Sequence, residues 1–229
     1  MRQLLTILAG LTMLVAIDAR AESKQLNFTD FDEVSVGSGM QVSINQGVMY
    51  RIAATGSAAD LDRLRVNQQG SRLTFSLDSG FWGFIHGRIN LSITLPALRG
   101  VHLSGGSSGT LEIRRGSAPF TAALSGGSRL DGHVACGNIQ MLLSGGSRIE
   151  VSGNGQSLVL EGSGGSRIDL KDFSVTKVTS NLSGGSQANI TVDGELNARL
   201  SGGSKITYFG SAALSAVQTS GGSRVTKGL

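Results

Sequence analysis

The sequence predicts an all-β protein built as a single parallel β-helix, with irregular N-terminal coils that act as a cap. The first observation is that the tetrapeptide Ser-Gly-Gly-Ser recurs at intervals of 18 to 21 residues, beginning at Ser104, Ser125, Ser144, Ser163, Ser183, Ser201 and Ser220. The second is the alternation of apolar and polar residues on both sides of each copy, which is typical of strands with one buried face. A fixed period of this length is typical of a solenoid that adds one coil per repeat.

The N-terminal residues have the composition of a secretory signal peptide. A basic start at Arg2 precedes 14 residues without a charge, and Ala19 and Ala21 then place small residues where a signal peptidase reads them. An anchored helix is the alternative, but the apolar run is shorter than the ~20 residues that a membrane span needs. We therefore predict a signal peptide over residues 1–21 and a mature chain over residues 22–229, with no transmembrane segment.

Composition and charge exclude some classes of protein. The chain has 34 Gly and only two Pro, but its apolar residues alternate in a way that a disordered chain does not require. Without Arg2, Arg20 and Asp18, the 20 basic and 16 acidic residues become 18 and 15, which is too small a surplus to indicate a nucleic-acid partner. The single Cys136 cannot form an internal disulfide, so we expect a buried free thiol, with an intermolecular bridge as the alternative.

The N-terminal part of the mature chain, residues 22–100, repeats less regularly than the rest. Four segments read as strands: MQVSI, MYRIAAT, RLTFSL and RINLSITL. Between the second and third lies SAADLDRLR, which reads as one short helical turn. We interpret this part as irregular first coils and a cap, because an open stack of strands needs protection at its ends.

Each regular repeat, within residues 101–229, reads as strand, bend and strand. One place before the first serine stand Leu103, Leu124, Leu143, Gly162, Leu182, Leu200 and Thr219. The Gly-Gly pair is expected at a corner, where a positive φ is inexpensive only for glycine. The flanking serines are expected to stack, with hydroxyls that bond along the column. This architecture gives roughly eight or more coils.

Two other repeat architectures are rejected. A calcium-binding β-roll needs nonapeptides of the form GGxGxDxUx, but no copy here has the third glycine of that motif, and the period is about twice nine residues. A propeller needs blades of about 40 residues, roughly twice the period observed.

Three stretches carry a resemblance to a known family. The segments GRINLSITLPALRGVHLSGGSS, LSGGSKITYFGSAALSAVQTSGGSRV and FDEVSVGSGMQVSINQG resemble the "putative auto-transporter adhesin, head GIN domain" family. The resemblance covers nearly all of residues 27–227. It implies a right-handed parallel β-helix in an exported bacterial protein, and it supplies no catalytic or ligand residues.

The residues after the bend predict charged columns on the outer surface. Arg129, Arg148 and Arg167 would form one column, and Asp131, Glu150 and Asp169 would form the next. Stacked acids could serve glycoside hydrolysis, but each coil nearly neutralises itself, so we favour solvated ion pairs. Further along, Lys205 and Arg224 face Thr207 and Thr226, which predicts an unbalanced basic patch.

No catalytic, cofactor or metal site is predicted. The three histidines, His86, His102 and His133, do not share a metal-ligand spacing. No nucleophile elbow, phosphate loop or zinc motif occurs in the sequence.

An aromatic cluster is the candidate contact loop. Phe81, Trp82 and Phe84 lie within four residues, flanked by glycines, in a chain with only eleven aromatic residues. One interpretation is a hydrophobic plug over the end of the stack. The other is an exposed loop that contacts a sugar or a protein pocket.

These observations predict a non-enzymatic, adhesin-like binding or structural module of the bacterial cell envelope, either periplasmic or on the cell surface. It would present a long β-helical surface to a glycan, a lipid headgroup or an envelope protein. The alternative is a carbohydrate-active enzyme, a polysaccharide lyase or hydrolase, because parallel β-helices also carry such activities. The sequence does not indicate an oligomeric state.

Replacing Trp82 with Ala separates the two interpretations of the aromatic loop. A contact loop should lose about 2 kcal/mol or more of binding free energy with little change in stability. A plug should instead lose roughly 3–5 kcal/mol of unfolding free energy. Thermal melts and tryptophan fluorescence distinguish the two. A blue-shifted, unquenchable emission together with a large drop in melting temperature would exclude the contact loop.

Overall fold

The structure is a computed structural model, which describes residues 21–78, 89–116 and 118–229. The described residues form a β-solenoid of about seven turns and almost no helix, which confirms the predicted fold class. The N-terminal elements are β1 (Glu22–Leu26), β2 (Glu33–Val36), β3 (Gln41–Gln46), β4 (Arg51–Gly56), α1 (Ala58–Arg63), β5 (Leu64–Gln69), β6 (Arg72–Leu77) and β7 (Asn90–Leu95).

The repeats supply the remaining strands. The first of these are β8 (Gly100–Leu103), β9 (Ser108–Gly116), β10 (Phe120–Leu124), β11 (Arg129–Cys136) and β12 (Asn138–Leu143). Three long strands each continue from one corner to the next: β13 (Arg148–Gly162), β14 (Arg167–Leu182) and β15 (Gln187–Leu200). The chain then forms β16 (Lys205–Phe209), β17 (Ala213–Thr219) and β18 (Arg224–Lys227).

The strands stack as two parallel ladders that meet at the corner. The first ladder contains the strands that enter the corner: β2, β8, β10, β12, the C-terminal halves of β13 to β15, and β17. The second ladder contains the strands that leave it: β3, β9, β11, the N-terminal halves of β13 to β15, β16 and β18. Equivalent residues of successive coils are therefore register partners and form columns.

The inward columns fill the core with aliphatic side chains. Every second residue is buried because side chains alternate between the two faces of a strand. One first-ladder column consists of the buried residues Val36, Leu103, Leu124, Leu143, Gly162, Leu182 and Leu200. Burial of one such leucine contributes about 1.5–3 kcal/mol. Cys136 is also buried, and burial raises the pKa of its thiol.

The predicted corner is confirmed at all seven Ser-Gly-Gly-Ser copies. Both glycines have positive φ, between 60° and 65° for the first and between 75° and 79° for the second, as in a type I′ turn. A Cβ on the first glycine would approach the backbone of the preceding corner: at Gly145 it would lie 3.1 Å from the amide nitrogen of Gly126. At the second glycine, such as Gly146, it would meet nothing within 4 Å.

The stack contains an earlier corner that the tetrapeptide search does not find. Because Val36 pairs with Leu103, the segment Gly37–Met40 aligns with the first Ser-Gly-Gly-Ser. Ser38 occupies the first glycine position with a φ of 59°, and its hydroxyl accepts a hydrogen bond from the Leu77 amide at 3.3 Å. Met40 is fully buried at the position that serine holds in later coils.

Antiparallel strands in the N-terminal part explain why the solenoid has fewer turns than predicted. Among the described strands, β1, β4 and β5 run antiparallel to their neighbours and therefore complete no coil. The predicted helical turn is present as α1, whose N-cap hydroxyl, on Ser57, accepts a hydrogen bond from the Asp60 amide at 3.2 Å.

Alanine substitutions at the two glycines of one corner should differ in cost. Gly146→Ala should destabilise the fold by about 1 kcal/mol through its positive φ alone. Gly145→Ala should cost more, because its Cβ also meets the preceding coil. Urea unfolding of both variants measures the difference, and Gly146→Asn should recover part of the loss because Asn tolerates this conformation. Equal midpoints for all variants and the wild type would contradict the corner geometry.

Candidate functional site

A groove runs along the outer surface of the first ladder, next to the corner. It has a volume of 610 Å³ and crosses six strands of the stack, from β2 to β14. Its floor is the outward column of the ladder, and its wall is formed by the first serines of the corners. The outward residues are Ser35, His102, Ala123, Leu142, Glu161 and Asn181, and the serines are Ser104, Ser125, Ser144, Ser163 and Ser183.

A second groove of 460 Å³ continues the first along the same columns. The two grooves share Asn181 and Ser183. The continuation adds Arg199 and Gln218 from the outward column, and Ser201 and Ser220 from the corners. We refer to the two together as the serine groove.

The two serines of each corner have different roles. The second serine is buried, and its hydroxyl donates to the carbonyl oxygen of the first serine, as from Ser147 to Ser144 at 2.7 Å. The same bond recurs at 2.6–2.8 Å in the corners of Ser107, Ser128, Ser166, Ser186 and Ser204. For these six corners the prediction that the hydroxyls bond along the column is wrong, because the tight turn offers each one a nearer acceptor. At the seventh corner the Ser223 hydroxyl does bond along the column, where it accepts from the Ser204 amide at 3.0 Å.

The first serines keep their hydroxyls free for a ligand. Within the part of the chain that the structure describes, the hydroxyls of the seven first serines make no hydrogen bond. Their backbone amides are used by the ladder, as in the bond from Ser144 N to the Leu124 carbonyl at 2.9 Å. Since the strands stack about 4.7–4.9 Å apart, the free hydroxyls repeat at that spacing along the groove.

The floor of the serine groove changes character along its length. Ala123 and Leu142 form a small, partly exposed apolar segment near the middle. Glu161 and Asn181 follow, and then Arg199, all exposed. Among the described residues, neither Glu161 nor Arg199 has an ion-pair partner, so these polar groups are available to a ligand.

A charged cluster lies at the N-terminal end of the groove. Glu33 Oε2 is 2.8 Å from Arg72 Nη2 and 3.7 Å from His102 Nε2. Burial lowers the pKa of His102, and the nearby Arg72 lowers it further, while Glu33 acts in the opposite direction. The imidazole is therefore neutral at neutral pH and can both donate and accept a hydrogen bond.

The structure places Lys205 and Arg224, the predicted basic patch, as register partners on β16 and β18. Thr207 and Thr226 are likewise register partners beside them. The predicted arginine and acid columns also form. Arg129 Nε is 2.6 Å from Asp131 Oδ2, while Arg148 Nη2 is 3.0 Å and Arg129 Nη2 is 3.3 Å from Glu150 Oε2.

Of the remaining candidate residues, the structure describes only His133. The predicted contact loop, Phe81, Trp82 and Phe84, lies outside the described residues, as does His86. His133 is separate from the groove, with Nδ1 3.3 Å from the Ser152 hydroxyl. In the described ranges no three His, Cys, Asp or Glu residues could hold a metal ion, and no helix is long and apolar enough to cross a membrane.

Sequence reasoning missed the serine groove. The signal was present in the first serine, which recurs in all seven copies although its hydroxyl is not needed by the turn. The outward column beside it varies from His102 to Ala123 to Leu142 and so shows no pattern.

Comparisons with known proteins give one family and several solved structures. A family model described as "Putative auto-transporter adhesin, head GIN domain" matches residues 30–212. No match is found among curated proteins. A "putative adhesin" from Bacteroides fragilis has a TM-score of 0.82 at 15% identity, covering 91% of this chain and 97% of its own.

Two further structures from Parabacteroides share the fold. A "putative adhesin" from Parabacteroides merdae has a TM-score of 0.71 at 16% identity, covering 93% of this chain and 98% of its own. A "putative lipid binding protein" from Parabacteroides distasonis has a TM-score of 0.67 at 16% identity, with the same coverage. At identities this low, the structural similarity establishes a shared fold but not a shared ligand.

Acid should destabilise the fold partly through His102. Because its folded-state pKa is lowered, the stability it contributes is present above the unfolded pKa of about 6.5 and is lost as the pH falls through the folded value. His102→Gln should therefore show a smaller drop in melting temperature than the wild type between about pH 7.5 and about pH 5. Thermal melts at the two pH values measure this, and equal drops would rule out His102 as a contributor.

Proposed function

The chain belongs to the "Putative auto-transporter adhesin, head GIN domain" family, and from this membership we propose that it is an exported, non-enzymatic binding module of the bacterial cell envelope. The module presents its solenoid surface to an extended glycan. The observation that carries the proposal is the serine groove, which combines an elongated concave shape with a regular row of unused hydroxyls.

The chemistry of the serine groove fits a glycan. Sugar hydroxyls both donate and accept hydrogen bonds, and so do the free hydroxyls of the corner serines and the side chain of Asn181. The apolar segment at Ala123 and Leu142 can contact the carbon-bound faces of a sugar ring. Because the same groups recur in successive coils, a polymer can make similar contacts along the whole groove.

A lipid fits the groove less well. One structural neighbour is described as a "putative lipid binding protein", but the apolar segment of this groove spans only Ala123 and Leu142. An acyl chain buried beyond it would desolvate serine hydroxyls without pairing them, which costs free energy. The glycan is therefore the ligand that we favour.

The groove chemistry also favours binding over catalysis. Glu161 is the only carboxylate among its lining residues, whereas glycoside hydrolysis uses a pair. On the second ladder, where Asp131 and Glu150 are neighbours, both carboxylates are engaged by Arg129. The carbohydrate-active enzyme remains the second candidate on fold analogy alone.

Export is part of the same proposal. The uncharged run and small residues of residues 1–21 support a cleaved signal peptide, and the mature chain would then start at Glu22. A cell-surface or periplasmic location would bring the groove close to envelope polysaccharides. N-terminal sequencing of the exported protein and fractionation of the envelope test the cleavage site and the compartment.

The binding proposal is tested by a glycan array on the mature chain, followed by titration calorimetry with the saccharide that binds best. Ser144→Ala combined with Ser163→Ala should weaken binding about fivefold per lost hydrogen bond. Urea midpoints should stay close to the wild type, because neither hydroxyl has a partner among the described residues.

The matched control is Gln140→Ala combined with Thr179→Ala. These two residues belong to the neighbouring outward column of the same ladder and do not line the groove. The control should keep wild-type affinity. Equal affinities for the serine variant and the wild type, or equal losses in both variants, would contradict the groove as the binding site.

A further inference from the structure

We propose that the C-terminal half of the second ladder is a separate surface that binds an anionic polysaccharide through Lys205 and Arg224. This surface lies on the other side of the corner from the serine groove. The proposal therefore goes beyond the function assigned to the groove and does not depend on it.

The upper half of this face, which consists of the N-terminal coils with Arg129 and Arg148, is electrically neutralised. Arg129 and Arg148 occupy one outward column, and each donates to a carboxylate of the adjacent column at 2.6–3.3 Å. The register continues these two columns through every later coil. The later coils therefore differ from the earlier ones by their residues and not by their backbone geometry.

The lower half of the face consists of the later coils, from Arg167 to Arg224. Its cationic column retains most of its cations, but its adjacent column has no acid after Asp169. In the cationic column, Arg148 is followed by Arg167, Gln187, Lys205 and Arg224. In the adjacent column, Asp169 is followed by Asn189, Thr207 and Thr226. Across the described residues, Lys205 and Arg224 form no ion pair and have threonines in the adjacent column, so the unneutralised positive charge is concentrated at these two residues.

The acids nearest along the chain to Lys205 and Arg224 are engaged elsewhere. Asp193 accepts hydrogen bonds from the amide and the hydroxyl of Ser211, both at 3.1 Å, which lower its pKa. Glu195 Oε2 is 3.1 Å from Lys177 Nζ. Its pKa falls to about 2, first because Asn197 donates to it and then because of Lys177. Neither carboxylate pairs with Lys205 or Arg224.

The arrangement of the cations favours a linear polyanion. Lys205 and Arg224 are neighbours in one column, about 4.7–4.9 Å apart along the stack, and Arg167 lies two coils further along the same line. The flanking Gln187, Thr207 and Thr226 add groups that hydrogen-bond to hydroxyls.

A lipid bilayer fits this face less well than a polysaccharide. Peripheral membrane surfaces combine cations with apolar side chains that enter the interface. In the lower half of the two columns, by contrast, every residue is polar or charged. The partner that this face suits is therefore hydrophilic, extended and acidic.

The test measures binding of the mature chain to dextran sulfate, with neutral dextran as the uncharged reference. Wild type should bind dextran sulfate in a salt-dependent way. Lys205→Gln combined with Arg224→Gln should weaken this binding about tenfold or more, since each cation donates a hydrogen bond to a charged group. The matched control is Arg129→Gln with Arg148→Gln, which makes the same change in net charge in the same column and should change affinity less than about threefold.

A second variant keeps both cations and neutralises their charge with an acid placed beside each of them. Thr207→Asp combined with Thr226→Glu reproduces the acid column of the upper half beside Lys205 and Arg224. It should weaken dextran sulfate binding as much as removing the cations does. Thermal melts confirm that each variant is folded, which is expected because the replaced side chains point outward.

Three results would overturn the proposal. One is the absence of dextran sulfate binding at about 0.15 M salt. Another is an equal loss in the matched control, because binding would then follow net charge alone. The third is stronger binding to vesicles of phosphatidylglycerol than to dextran sulfate, lost in the same variants, which would make the face a lipid site. None of these results bears on the serine groove, whose variants are tested with the saccharide found on the array.

Discussion

The close approach of successive corners is the constraint on which the structure depends. At each corner the first glycine packs against the backbone of the corner before it, so closely that a Cβ would lie 3.0–3.2 Å from an amide nitrogen in every coil from Gly126 onward. The close approach of the two glycine backbones fixes the position of each coil relative to the last. It therefore also fixes the register of both ladders, because one ladder ends at the corner and the other begins there.

Register in turn divides the side chains of the repeat into columns with separate roles. Inward columns hold the aliphatic core, and the buried second serine closes the corner by donating to its own turn. The first serine and the outward columns have no such internal role. A residue can change in an outward column without disturbing the core, which is why one backbone can carry a neutralised face, a cationic face and a polar groove.

The sequence predicts the features that obey a strict local rule. Alternation of Val101, His102 and Leu103 reveals a strand, and paired glycines reveal a corner. The corner at Gly37–Met40 was missed because Ser38 stands where later corners have glycine and Met40 stands where they have the buried serine. The groove was missed because its outward column, from His102 to Ala123 to Leu142, follows no pattern of residue types. Lys205 and Arg224 are register partners, as the repeat implies, and their role as a basic patch stays a prediction.

The two surfaces beside the corner also illustrate how a solenoid can acquire binding without redesign of its core. On the second ladder, replacing the acids at the Asp131 and Glu150 positions by Thr207 and Thr226 is enough to expose positive charge. Exposed ion pairs contribute roughly 0–1 kcal/mol, so losing them costs little stability. On the first ladder, the row of serine hydroxyls is repeated by the same period that repeats the core. A binding surface of this kind grows by one set of contacts with every coil, and its affinity for a polymer is limited by the length of the stack and not by any single residue.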